Sequence, residues 1–299
     1  MKKFLSAFLA LILAFSLPIS VLAVESDSYS DIKEHVSTLY GIPMDIMDTL
    51  SEEKVRSMDI NDSQVVSTQE SYVNFITDEF GETTAIPSTE EDYLNYLSSP
   101  AANSEIENPA TNSNSWMKIY LIIIDNGDNT LNISSTYTWL IQPRVVFNQY
   151  DMLSLCWENG SYIPGTAEGF YSYNTVSSGH FSEDLPASDF EQPSDNPKSI
   201  NYFHPMNDSG VRRNEFFHMM VTIRKNTGAG LEHAWSFYGH QEKTIDWNNF
   251  LNGIAGIAGA IYIPNPYVKA IAAIAGVNSL SGSVNSYYDL HNAEAIYYY

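Results

Sequence analysis

From Trp116 onward, apolar and polar residues alternate at a period of two. In "TLNISSTYTWL", Leu131, Ile133, Tyr137 and Trp139 fall on one side and Asn132, Ser134, Thr136 and Thr138 on the other. That is the pattern of a half-buried antiparallel strand. "DMLSLCWE" repeats it with Leu153, Leu155 and Trp157, and "GFYSYN" (169–174), "NEFFHMMVTIR" (214–224) and "LEHAWSFYGH" (231–240) predict three more strands. "MKIYLIIID" is an apolar, β-branched run, and the Asn-Gly pair in the following "NGDN" favours a tight hairpin turn. The acidic, proline-rich stretch 182–210 reads as a long loop. Strands joined by turns with no helix between them predict a mainly β fold. The expectation is an antiparallel β-sandwich or open barrel over 116–247.

Before Trp116 the period changes. Ile32, Val36, Leu39 and Tyr40 recur at helical spacing, and Pro43 sits where a first helical turn tolerates it. Ser51 followed by Glu52 and Glu53 reads as an N-cap with acids on the positive helix end. Two or three short helices are therefore predicted over 30–60. Residues 24–95 read as an acidic, partly helical leader or pro-segment, and "YLSSPAANSEIENPATNSNS" (96–115) has the composition of a disordered linker.

Residues 248–299 bring back helical spacing. In "GIAGIAGAIYIPNPYVKAIAAIAG" (253–276), Ile254, Ile257 and Ile261 line one face, and Ile271 continues it after Pro264 and Pro266. Prolines at those positions break the run. Each half, about 11 residues, is about 16 Å long as helix, against a hydrocarbon core of about 30 Å. The expectation is a small-residue-rich helical hairpin followed by a Tyr-rich tail. Its isoleucine face either packs on the β region or inserts into a membrane.

The first residues carry Lys2 and Lys3, then an apolar run, then Val21-Leu22-Ala23, the layout of a signal peptide spanning 1–23 and cleaved after Ala23. Export to the extracellular space or cell envelope is the expectation. The formal charge is −22 over 299 residues, and losing Lys2 and Lys3 makes it −24. That balance excludes ordinary nucleic-acid binding, which needs cations to displace counterions. Residues 24–115 alone carry 19 acids against Lys33, Lys54 and Arg56. Cys156 is the single cysteine, so no intramolecular disulfide forms and a hydrophobic core must carry stability.

Candidate chemistry is sparse. His233 and His240 are seven residues apart and point to opposite faces of a strand; the spacing matches no zinc pattern, so no metal and no cofactor is expected. Cys156 would need a base and an accessible, electropositive niche to act as a nucleophile. No Gly-x-Ser-x-Gly elbow is present. Aromatics are the distinctive feature. Trp139, Trp157 and Trp235 stand in phase with apolar neighbours and read as core. Tyr162, Tyr171 and Tyr173 lie near turns and glycines and read as exposed binding residues for an extracellular protein or glycan.

"YGIPMDIMDTLSEEKV" and "STYTWLIQPRVVFNQYDMLSLCW", with Trp139, Leu140, Pro143 and Asp151 at a strand corner, resemble uncharacterised secreted proteins of Gram-positive bacteria. The resemblance implies export and a short helical leader before a β domain, and brings no activity with it. The functional expectation is a non-enzymatic extracellular binding or envelope-associated module. A membrane-active protein inserting 253–276, toxin- or bacteriocin-like, is the alternative, and a secreted hydrolase is the third.

Overall fold

The structure is a computed structural model describing residues 28–59, 64–77, 83–100, 102, 114–143, 149–175, 179–190, 198–206, 212–226, 228, 230–241 and 288–298. The fold is mainly β and antiparallel. A large sheet runs in the order β2 (Thr83–Ser88), β1 (Gln64–Thr77), β3 (Asn114–Asp125), β4 (Thr130–Ile141), β10 (Arg212–Arg224), β7 (Glu168–Thr175) and β8 (Gly179–Leu185). The two-residue β6 (Ser161–Tyr162) pairs with one end of β10. A smaller sheet runs β12 (Tyr288–Tyr298), β11 (Leu231–Gln241), β5 (Gln149–Trp157) and β9 (Ser199–Met206). Among the described residues each sheet ends in two edge strands and neither closes into a barrel.

The period-two pattern explains how the sheets meet. Leu131, Ile133, Tyr137 and Trp139 of β4 share one core with Leu153, Leu155 and Trp157 of β5 and with Ala234 and Tyr238 of β11. Burying each large apolar side chain stabilises the fold by about 1.5–3 kcal/mol. A polar thread crosses this core. The Ser236 hydroxyl lies 2.5 Å from that of Ser135 and donates to the Tyr137 hydroxyl at 2.7 Å, which donates to the Ser154 carbonyl at 3.1 Å. Each buried hydroxyl thus has a partner, which avoids the cost of leaving one bare.

The other face of the large sheet is covered by helices α1 (Tyr29–Tyr40), α2 (Met44–Met47) and α3 (Glu52–Met58). Ser28 closes a capping box with Asp31, and Ser51 accepts the Lys54 N–H, so the cap read from the sequence is present. Ile32, Val36, Tyr40, Ile46, Met47, Val55 and Met58 pack on Ile122, Ile124, Phe170, Phe216 and Met220 of the sheet. Lys54 reaches Glu168 of β7 at 2.9 Å. Gly41 ends α1 at φ +64°, and a Cβ there would stand 2.8 Å from the Tyr120 ring, so glycine is required twice over.

Several boundaries differ from the sequence reading. Residues 64–77 and 83–88, inside the segment read as a leader, form β1 and β2 of the large sheet. Their pattern is masked because β1 buries only Tyr72, Val73 and Phe75 fully and exposes Gln69 and Glu70. Helix α4 (Glu90–Leu97), also unforeseen, lays Tyr93 and Tyr96 on Trp116, ring centroids 5.5 Å apart in both pairs. The stretch 182–210 contains the end of β8 and all of β9, where Pro205 is tolerated because β9 is an edge. The β3–β4 turn is a four-residue loop with Gly127 and Asn129 at positive φ. The Tyr-rich tail is strand β12, with Ala293 and Ala295 in the shared core. The helical hairpin expected within 248–299 lies outside the described residues.

Candidate functional site

Strand β7 sends its side chains alternately to the two layers. Phe170 joins the cluster under the helices, while Tyr171 and Tyr173 face the smaller sheet. Strand β8 pairs with β7 so that Phe181 stands opposite Tyr173. The rings form a continuous strip: Phe217 to Tyr171 at 4.5 Å, Tyr171 to Tyr173 at 5.3 Å and Tyr173 to Phe181 at 4.9 Å between centroids. The strip starts in the core and surfaces at its end. Phe217 and Tyr171 are buried, Tyr173 is half-buried, and Phe181 is 40% exposed.

The buried root of the strip is polar. Glu215 of β10, only 1% exposed, accepts a hydrogen bond from the Tyr171 hydroxyl at 2.5 Å and another from the Gln142 amide. His204 of β9 places Nε2 3.9 Å from Glu215 Oε1, with its ring 4.2 Å from that of Tyr171. The hydrogen bond to Glu215 and the His204 ring contact hold the Tyr171 ring, against which Tyr173 packs.

Tyr171 is therefore corrected from an exposed to a core residue. The sequence signal, a tyrosine near glycines, does not reveal that Glu215 waits on the neighbouring strand. Tyr162 is half-buried, stacks on Trp157 at 6.2 Å, and its hydroxyl accepts the Gly165 N–H. It sits opposite Ile223, whereas Tyr171 sits opposite Phe217. Six residues of strand span about 20 Å, so Tyr162 and Tyr173 do not belong to one platform. Ile254, Ile257, Ile261 and Ile271 lie outside the described residues. Phe181, His204 and Glu215 were not foreseen as a group, since only strand pairing joins positions from β8, β9 and β10.

Other buried polar groups serve the framework. The Glu232 carboxylate accepts the backbone N–H groups of Glu158, Asn159 and Gly160 at 2.7, 2.8 and 2.6 Å. Burial nevertheless raises its pKa; the three N–H groups and Lys198 only oppose that rise. His218 shares a 2.9 Å hydrogen bond with Ser134 beneath the helices, and burial, helped by Lys54, lowers it to about 3. Cys156 is fully buried and its thiol is pushed up to about 12, which removes it as a nucleophile near neutral pH. Trp139, Trp157 and Trp235 are all buried. His233 faces Glu294 at 3.2 Å and Glu158 at 3.8 Å. Among the described residues no three acidic, histidine or cysteine side chains converge as a metal site, and no helix is long and apolar enough to cross a membrane.

No known protein family and no curated protein matches the chain. Solved structures give distant likenesses. AvmM, which catalyses macrocyclization in alchivemycin A biosynthesis, is 12% identical, with 57% of this chain and 80% of that one covered, at a TM-score of 0.24. The C-terminal domain of the Streptococcus agalactiae AgI/II polypeptide BspA is 5% identical over 70% of this chain and 87% of that one, at 0.28. The Clostridium perfringens NetB toxin in its membrane-inserted form is 9% identical over 43% and 78%, at 0.18. At such scores none of these likenesses carries an argument about activity.

Proposed function

We propose that this is an exported, non-enzymatic binding module of the cell exterior, and that it engages an extracellular ligand through the outer end of the Tyr171–Tyr173–Phe181 strip. The observation behind this reading is Phe181, a large aromatic 40% exposed on an edge strand and backed by Tyr173, which itself packs on Tyr171, the ring hydrogen-bonded to buried Glu215. Aromatic side chains with pre-set orientation contribute contact area at low entropic cost. The expected lack of nucleic-acid binding follows from the charge of −22.

The test is to screen residues 24–299 on glycan and extracellular-protein arrays beside Phe181→Ala. Binding that falls at least about tenfold in a folded Phe181→Ala protein supports the reading, since truncating a contact hot spot costs about 2 kcal/mol or more. Binding unchanged by Phe181→Ala, or turnover of an arrayed glycan by the native chain, sinks it.

A further inference from the structure

We propose that β8 is an open sheet edge that takes an extended, cationic peptide as an added strand. The proposal deepens the binding-module reading and rests on it for the choice of face. Unpaired sheet edges invite pairing, and proteins blunt them with proline, lysine, bulges or a covering element. The other three edges carry such protection. Strand β2 holds Pro87 and is crossed by β12. Strand β9 holds Pro205, and the turn Ala187–Asp189 leads Phe190 onto Tyr202 at 5.9 Å. Strand β12 packs back across β1, β2 and β3.

Among the described residues strand β8 has none of these devices. Gly179–Leu185 contains no proline, lysine or arginine, and its pairing with β7 runs from Thr175–Gly179 to Gly169–Leu185 without a register shift. Gly179, His180, Phe181, Glu183 and Asp184 are exposed. In an antiparallel ladder alternate residues turn their N–H and C=O away from the partner, so half of this edge is free to bond outward.

Charge selects the occupant. Glu183 and Asp184 are consecutive, so they flank opposite faces of the edge. His180 is tied to Asn174 at 2.9 Å and to Ser172 at 3.1 Å, and burial lowers its pKa, so the edge carries no cation near neutral pH. A second copy of this chain would bring carboxylates against carboxylates, and like charges across strands are unfavourable. A strand with alternating basic residues carries them on one face, where they meet Asp184, while its apolar positions on the other face reach Phe181 and Tyr173 beside Glu183.

The experiment is fluorescence anisotropy of fluorescein-labelled peptides against residues 24–299. The probe alternates lysine and valine over about eight residues, enough to span the edge at about 3.3 Å per residue. The controls are the same peptide N-methylated at alternate amides, and one with glutamate for lysine. Saturable binding should weaken at least about tenfold on N-methylation, because several strand hydrogen bonds are lost. It should also weaken in Glu183→Lys/Asp184→Lys. Equal binding of the N-methylated peptide means charge adsorption and overturns the proposal, as does failure of the lysine–valine peptide to bind. A dimer of the unliganded chain that the double variant dissolves puts a second copy on the edge and overturns it too. The N-methylation arm needs no variant, so misfolding of a mutant cannot hide the answer. If the peptide fails while an array ligand is lost in Phe181→Ala, the edge proposal falls and the module reading stands. If the peptide pairs while Phe181→Ala leaves every array ligand bound, the strip reading falls alone.

Discussion

His218 Nε2 lies 2.9 Å from Ser134 Oγ on adjacent strands, closed over by Tyr40 of α1, whose ring meets the imidazole edge-on at 5.3 Å. Phe170 stacks on the other side at 5.2 Å, and Lys54 of α3 adds a positive field. The site suits a neutral imidazole.

A folded-state pKa depressed from 6.5 to about 3 gives a definite pH dependence. Neutral His218 contributes stability that is full above about pH 6.5 and is lost as the pH falls toward 3, because the unfolded chain takes up the proton first. Each pKa unit is about 1.4 kcal/mol, so the loss amounts to several kcal/mol. Urea melts at pH 7.5 and 4.5 should show the decline, and His218→Phe should flatten that part of the slope. An unchanged slope would contradict it.

Glu232→Ala takes the carboxylate acceptor from the backbone N–H groups of Asn159 and Gly160, while that of Glu158 keeps the His233 carbonyl at 3.0 Å. Each unsatisfied buried donor costs about 1–3 kcal/mol, with water recovering part of it. The expected result is a drop in thermal midpoint well beyond that of a surface glutamate such as Glu53→Ala, checked by circular dichroism.

Tyr171 and Phe181 should separate stability from binding. Tyr171→Phe deletes the hydroxyl that donates to Glu215 and should cost about 1.5–3 kcal/mol, as for bonds to charged groups. Phe181→Ala, at a partly exposed edge position, should change stability by less than about 1 kcal/mol. Paired denaturant titrations decide this.

Cys156 should be silent toward Ellman's reagent in the native state. A buried thiol pushed up to about 12 reacts only when the sheet opens, so modification should track global unfolding in denaturant. Rapid labelling of the folded chain would refute the burial.

Val36→Asp tests the helical layer. Val36 is 0% exposed between α1 and the outer face of the large sheet. A carboxylate there should destabilise the chain by about 3 kcal/mol or more, far beyond the effect expected of a dispensable tail. Full retention of the melting midpoint would show that α1–α3 dock too weakly to matter.

Local signals were legible wherever one residue's neighbours in sequence set its environment. The alternation of Leu131, Ile133, Tyr137 and Trp139, the cap at Ser51 and the helical spacing of Ile32, Val36 and Tyr40 each act within one element, and each is present in the fold. Composition alone also established the acidity and the single cysteine. What only the tertiary structure decided is which elements become neighbours. The pairing of β1 with β3 draws residues 64–77 into the large sheet, although their polar surface hides the strand pattern. Contact with Glu215 and His204 turns Tyr171 from a candidate surface residue into a core one. The assembly of Tyr173 beside Phe181 follows from strand register, which is fixed by hydrogen bonds between segments rather than by the spacing within either.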